Sequence, residues 1–183
     1  HLTTRPEESL AVIAVTDVHA RRIAAALGAA GLSAGLAGRR AVEVAAASDC
    51  GSVAADRVIL AVGYAKTRHG RVLYRFPTLA GPDGATLLVA ALGRARREVT
   101  VVSSLAPDEL EDSRLTSPGP RLLKDLLRYA AQGPATPASC PTADADTAAG
   151  AEREPGGQGG AGVAVGPGAV LGELADRLRK QGL

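Results

Sequence analysis

Leu10–Val15, LAVIAV, is an unbroken apolar run of strand length. A strand that is apolar on both of its pleated faces needs cover on both sides, the situation of a parallel sheet inside an α/β domain. Thr16 and Asp17 follow as candidate helix caps. They lead into an expected helix over Val18–Leu27, with Val18, Ile23, Ala26 and Leu27 for its buried side and Gly28 or Gly31 as its stop. Ala41–Ala46 and Arg57–Gly63 read as further strands. In GATLLVAALGRARREVTVVSS, residues 84–104, Leu87, Leu88, Ala91 and Leu92 share one side of a helix that gives way to an apolar strand. Strands joined through helices pair in parallel with right-handed crossovers. Leu10–Val15, Val58–Val62 and Val99–Val102 are therefore expected side by side in one sheet, an α/β fold with a parallel sheet flanked by helices.

The remaining segments are read in the same way. Pro120–Gln132 places Leu122, Leu123, Leu126, Leu127 and Ala130 on one side of a closing helix, with Gly133 as its stop. Residues 133–168 are rich in alanine, proline and glycine without hydrophobic periodicity, and are expected to form a flexible linker. Residues 170–181 regain an apolar side in Val170, Leu171, Leu174 and Leu178, but in sequence order nothing remains for it to pack on. The expected organisation is a domain over 1–132, a linker over 133–168 and a truncated start of another domain over 169–183.

Composition limits the chemistry. With no Trp, one Phe and three Tyr, nucleic acid cannot be held on a platform of stacked rings. The net charge of +2 is too small to argue for a polyanionic partner, so local clusters of arginine carry more weight than the sum. Cys50 and Cys140 lack metal-ligand spacing, no metal site is expected, and a reduced cytoplasmic protein is the default. Neither a signal peptide nor a run of 18 apolar residues occurs, so no membrane association is expected. A chain beginning at His1 and containing no Met reads as part of something longer.

Three clusters could be mistaken for chemistry. Gly63 precedes Lys66-Thr67 by too little for a phosphate loop, which needs a longer glycine-rich wrap opening a helix, and Gly70 and Pro77 interrupt any helix there. The loop over 62–76 is nonetheless basic through Lys66, Arg68, His69, Arg71 and Arg75, which suits a solvated surface or contact with phosphate backbone. Asp108, Glu109, Glu111 and Asp112 lack a histidine partner and are expected to form a solvated face, and His19 is expected on a helix surface. Arg94, Arg96 and Arg97 are expected at the helix end, where basic residues suit the dipole.

Residues 84–104 resemble the last helicase motif of superfamily 1 DNA/RNA helicases, a pattern close to R-L-N-V-A-L-T-R-A-R-R. RPEESLAVIAVTDVHARRIAAAL, residues 5–27, is similar to the segment that opens the second motor domain of that family. Val62, Gly63, Tyr64, Gly70, Arg71, Val72, Phe76 and Leu79 match a family insert of the form S-V-G-Y…G-R-V…F-G-P-L. Residues 170–183 are similar to the first helix of the restriction-endonuclease-like domain that many bacterial members carry after the motor.

The resemblance implies a RecA-like second motor domain. In it Arg94 would reach across a cleft to the ATP γ-phosphate, Gly51 would belong to the nucleotide loop, and Lys66, Arg68, Arg71, Arg96 and Arg97 would contact DNA or RNA. ATP and Mg2+ are expected only together with the first motor domain, and this chain alone is expected not to turn over ATP. Departures from the pattern are local. Cys50 stands for the loop glutamine, the loop glutamate is missing, Val89 replaces an asparagine and Gly93 a threonine. They leave open a degenerate motor kept as a nucleic-acid-binding or scaffolding module. A working finger requires Arg94 to face a cleft rather than pair with Asp83 or Asp56.

Overall fold

The computed structural model describes residues 5, 7–32, 41–132 and 163–165. Strands β1 (Leu10–Ala14), β2 (Glu43–Ala46), β3 (Ala55–Ala61), β4 (Ala95–Val102) and β5 (Val163–Val165) form one sheet in the order β2-β1-β3-β4-β5. The first four are parallel, with Val12 opposite Val44 and Ile59, and Ile59 opposite Thr100. The three runs expected side by side are therefore neighbours, and the α/β class with a parallel sheet holds. β5 is antiparallel to β4 and falls inside the stretch read as a linker. The rest of that stretch, like residues 170–181, lies outside the described residues.

Helices α1 (Asp17–Ala29), α2 (Gly84–Leu92) and α3 (Pro118–Gln132) flank the sheet. Thr16 caps α1, its Oγ1 accepting from the His19 amide at 3.4 Å. The main core lies on one face, where Ile13, Val58, Leu60, Val99 and Val101 meet Leu88, Leu92, Leu123 and Leu126. α1 covers the other face over β1 and β2 through Ala20, Ile23 and Leu27. Because β2 leads to β3 through a 3-10 segment, Ala47–Ser52, that packs Ala47 and Cys50 into the main core, the two crossovers lie on opposite faces. α2 and α3 pack on each other at glycines: a Cβ on Gly84 or Gly119 would sit 2.0 or 2.1 Å from the Leu79 carbonyl oxygen.

The segment entering β1 is clipped to the start of β3 and β4. Glu8 accepts from Arg5, Arg57 and Arg97, and Arg57 also pairs with Glu98. Beside them the Asp56 carboxylate accepts from the Ser9 amide at 2.9 Å and the Ser9 hydroxyl at 2.7 Å. The Arg57 hydrogen bond holds the Glu8 carboxyl below its ordinary value, and the two Ser9 donors do the same for Asp56. A depressed folded pKa gives stability that is full above the unfolded value and lost as pH falls toward the folded one. The melting temperature is thus expected to drop as pH is lowered through and below 4.5, the ordinary glutamate value. Thermal unfolding of Glu8→Gln should show a shallower acid slope, and an unchanged slope would clear Glu8 of any part in the acid transition.

Candidate functional site

Arg94 occupies the junction between the end of α2 and the start of β4. Helix α2 stops at Leu92, and the Arg94 side chain folds back so that its Nε donates to the Ala90 carbonyl at 3.0 Å, satisfying one of the helix's last acceptors. Its Nη1 donates at 3.0 Å to the carbonyl of Gly51, in the 3-10 segment. Two sequence-predicted residues are thereby brought together across the fold. Arg94 has no carboxylate partner among the described residues: Asp56 is taken by Ser9, and neither it nor Asp83 pairs with Arg94. A guanidinium held by its edge on two backbone carbonyls keeps its charge and the rest of its fork of donors.

Arg96 and Arg97 are not at the helix end. They lie on β4, and the last turn of α2 holds no basic residue. The reason is tertiary: the Ala55 amide donates to the Arg94 carbonyl and Ala95 pairs with Ala55, so the β3–β4 ladder draws residue 95 onward into the strand. Both arginines are exposed, and Arg97 is engaged by Glu8 at 2.9 Å.

Lys66, Arg68 and Arg71 sit elsewhere. They follow β3, whereas Arg94 lies where β3 and β4 begin; the seven residues of β3 separate the two groups by about 20 Å. Their loop is a short hairpin, with Lys66 bridged to Val72 and Gly70 at φ 74°. Lys66 is paired with Glu109, while Arg68 and Arg71 are exposed and have no acidic partner among the described residues. The scarce aromatics are spent bracing this loop. Tyr64 and Tyr74 meet Phe76 edge-on, the Tyr74 hydroxyl donates to the Glu109 carbonyl, and Arg114 stacks over the Tyr74 ring at 4.2 Å. Asp108, Glu111 and Asp112 are exposed and Glu109 is half-buried, the solvated face expected of them; Lys66 holds Glu109, and Lys124 holds Asp112, below the usual carboxylate range.

One site escaped the sequence reading. The chain leaves β1 toward β2 on one side and returns to β3 on the other, so the strand order reverses between β1 and β3, the place where open α/β sheets leave a ligand crevice beyond their carboxyl ends. A cavity of about 220 Å3 lies there, lined by His19, Gly63, Tyr64, Val102, Ser103 and Ser104. His19 leans over Gly63, which takes φ 69°, and a Cβ on Gly63 would come within 2.2 Å of His19 Nδ1. The signal available in the sequence was a glycine directly after an apolar strand, a position that demands left-handed backbone or close approach.

Cys50, standing where the family loop has glutamine, is buried; its thiol donates to the Ala47 carbonyl at 3.2 Å, and burial pushes its pKa up although Arg94 is near. Among the described residues no group of three His, Cys, Asp or Glu side chains could hold a metal, and no helix is long and apolar enough to cross a membrane. Fold and site define an α/β protein with a parallel sheet, with Arg94 where β3 and β4 begin and the Lys66–Arg71 loop beyond the end of β3. No protein-family model, curated protein or solved structure matches the chain.

Proposed function

We propose that this chain is the second, RecA-like motor domain of a superfamily 1 helicase-like ATPase, acting in the cytoplasm on DNA or RNA. The observation that carries the reading is the Arg94–Gly51 contact, which joins residues 43 positions apart and leaves a guanidinium that has no carboxylate partner among the described residues held by two backbone carbonyls. Such a group suits the oxygens of a transferring phosphoryl group, whose charge it would stabilise. ATP bound with Mg2+ would supply the phosphoryl group, and its anchoring lysine and magnesium carboxylates would belong to the first motor domain. Placing Lys66, Arg68 and Arg71 at the opposite edge suits a motor, because nucleotide and track then touch different ends of one stiff sheet. The burial of Cys50 favours the second reading, a degenerate motor kept for binding or scaffolding, since a thiol turned into the core cannot sense a nucleotide.

Binding to a labelled single-stranded oligonucleotide tests the track edge. Arg68→Ala with Arg71→Ala should weaken binding and reduce the slope of log K against log salt by about 0.7 for each phosphate that is no longer neutralised. An unchanged slope removes this loop from the interface.

A further inference from the structure

The loop after β3 turns one of its sides outward. From Arg71 to Phe76 burial alternates: Val72, Tyr74 and Phe76 belong to the main core, while Arg71, Leu73 and Arg75 are exposed. Such alternation marks an extended stretch. Its outward row is a guanidinium, a leucine and a guanidinium, the two arginines lying at most about 14 Å apart along the chain. Leu73 is 53% exposed, and of the large apolar side chains exposed among the described residues it alone lies in this basic loop. Neither Arg71 nor Arg75 has an acidic partner among the described residues.

The row is set before anything binds. Thr67 closes the hairpin, its amide donating to the Arg71 carbonyl at 2.8 Å and its Oγ1 accepting from the Arg71 amide at 3.1 Å. Tyr74 fastens the inner side, its hydroxyl donating to the Glu109 carbonyl and accepting from the Glu111 amide, each at 3.0 Å. On that bracing segment Glu109 is taken by Lys66 and Asp112 by Lys124, and Asp108 and Glu111 are exposed. A preset backbone spares a ligand the cost of ordering it.

A ligand of point charges alone, such as a chain of phosphates, would gain nothing from Leu73. A nucleic acid strand offers both halves of the match, phosphates for the guanidiniums and an apolar base face for the leucine. The rings that could stack on a base are turned to one another instead, Tyr64 and Tyr74 each meeting Phe76 edge-on. Leucine is the apolar contact this loop has left to give.

We propose that Leu73 packs on an unstacked base while Arg71 and Arg75 hold phosphates on either side of it. The proposal rests on the reading of this loop as the track contact, and its test separates the two.

The full chain is titrated with two labelled single-stranded oligonucleotides of equal length, one with ordinary bases and one with abasic sugars at its centre. Leu73→Ala should weaken binding to the first about fivefold and leave the second within about twofold, since a half-exposed side chain buries only part of its apolar surface on binding. Arg75→Ala should weaken both alike and lower the slope of log K against log salt by about 0.7. At saturating protein, a central 2-aminopurine should brighten with the native chain and brighten less with Leu73→Ala, a change that a merely structural leucine would not produce. Equal effects of Leu73→Ala on the two oligonucleotides, or none, overturn the proposal. Loss of binding to an acidic peptide with apolar residues, while oligonucleotide binding stays unchanged, also overturns it and assigns the row to a protein partner. Arg68→Ala with Arg71→Ala then shows how far such a failure reaches. A reduced salt slope keeps the loop as a phosphate contact without Leu73, and an unchanged slope removes the loop from the interface altogether.

Discussion

Replacing Arg94 by alanine in the complete protein is expected to lower nucleic-acid-stimulated ATP hydrolysis by a factor on the order of 10³ or more, with ATP binding changed only a few-fold. The difference follows from when the interaction is made. A finger that meets charge developing on the phosphoryl group stabilises the transition state more than the bound substrate, so its removal shows in the rate and not in affinity. The geometry bears on the size of the effect. Because Nε and Nη1 are held by Ala90 and Gly51, the guanidinium is oriented before any substrate arrives. Arg94→Lys should recover little, since an ammonium cannot span two carbonyls and still present planar donors. Arg96→Ala and Arg97→Ala should do less, as β4 residues outside that clamp. Equal hydrolysis with and without Arg94 would end the finger assignment. A complete protein that binds nucleic acid but never hydrolyses ATP would favour the scaffold.

Gly119→Ala is expected to destabilise the fold by about 3 kcal/mol, the upper end of what overpacking costs. The added methyl would sit 2.1 Å from the Leu79 carbonyl oxygen and 3.1 Å from the Gly84 carbonyl carbon. Both are backbone atoms, so no side chain can swing away and α3 must retreat from α2. Gly84→Ala meets the same carbonyl at 2.0 Å, and the double variant should cost less than the sum because one displacement relieves both clashes. Gly51→Ala is the control: its Cβ would meet nothing within 4 Å, and the change should stay within about 0.5 kcal/mol. Denaturant midpoints of the variants decide the matter. A Gly119→Ala midpoint no lower than that of Gly51→Ala would show that the helices do not approach as closely as described.

The two glycines also show where sequence reading ends. In sequence they are a residue opening α2 and one between Pro118 and Pro120, with nothing to mark that they meet at one carbonyl. The strands are legible because LAVIAV and RVILAV are apolar on both faces, and that pattern admits few environments other than the middle of a parallel sheet. Helix α1 is legible from Thr16, but its apolar spacing misleads in part, since Val18 and Ala26 are exposed and Ala20 is buried, whereas α3 is legible from its leucines. Local reading misplaces the arginine cluster because a helix-to-strand boundary inside GRARREV has no local marker. Dipole complementarity favours the helix end, and ladder pairing with Ala55, forty residues earlier, outweighs it.

By itself the sequence determined which segments must be buried, because hydrophobic period and capping act over a few neighbouring residues. From that follow the α/β class, the parallel arrangement of β1, β3 and β4, and the identity of Arg94 as a cation near a helix end. Tertiary structure alone decided which distant groups meet. It set Gly51 against Arg94, Glu109 against Lys66 and His19 over Gly63, and it added β5 to the edge of β4. The physical reason is that these contacts are fixed by strand order and by the faces on which the crossovers pack. Those depend on how the whole chain fills the space over one sheet, whereas local propensity ends within a turn or a strand.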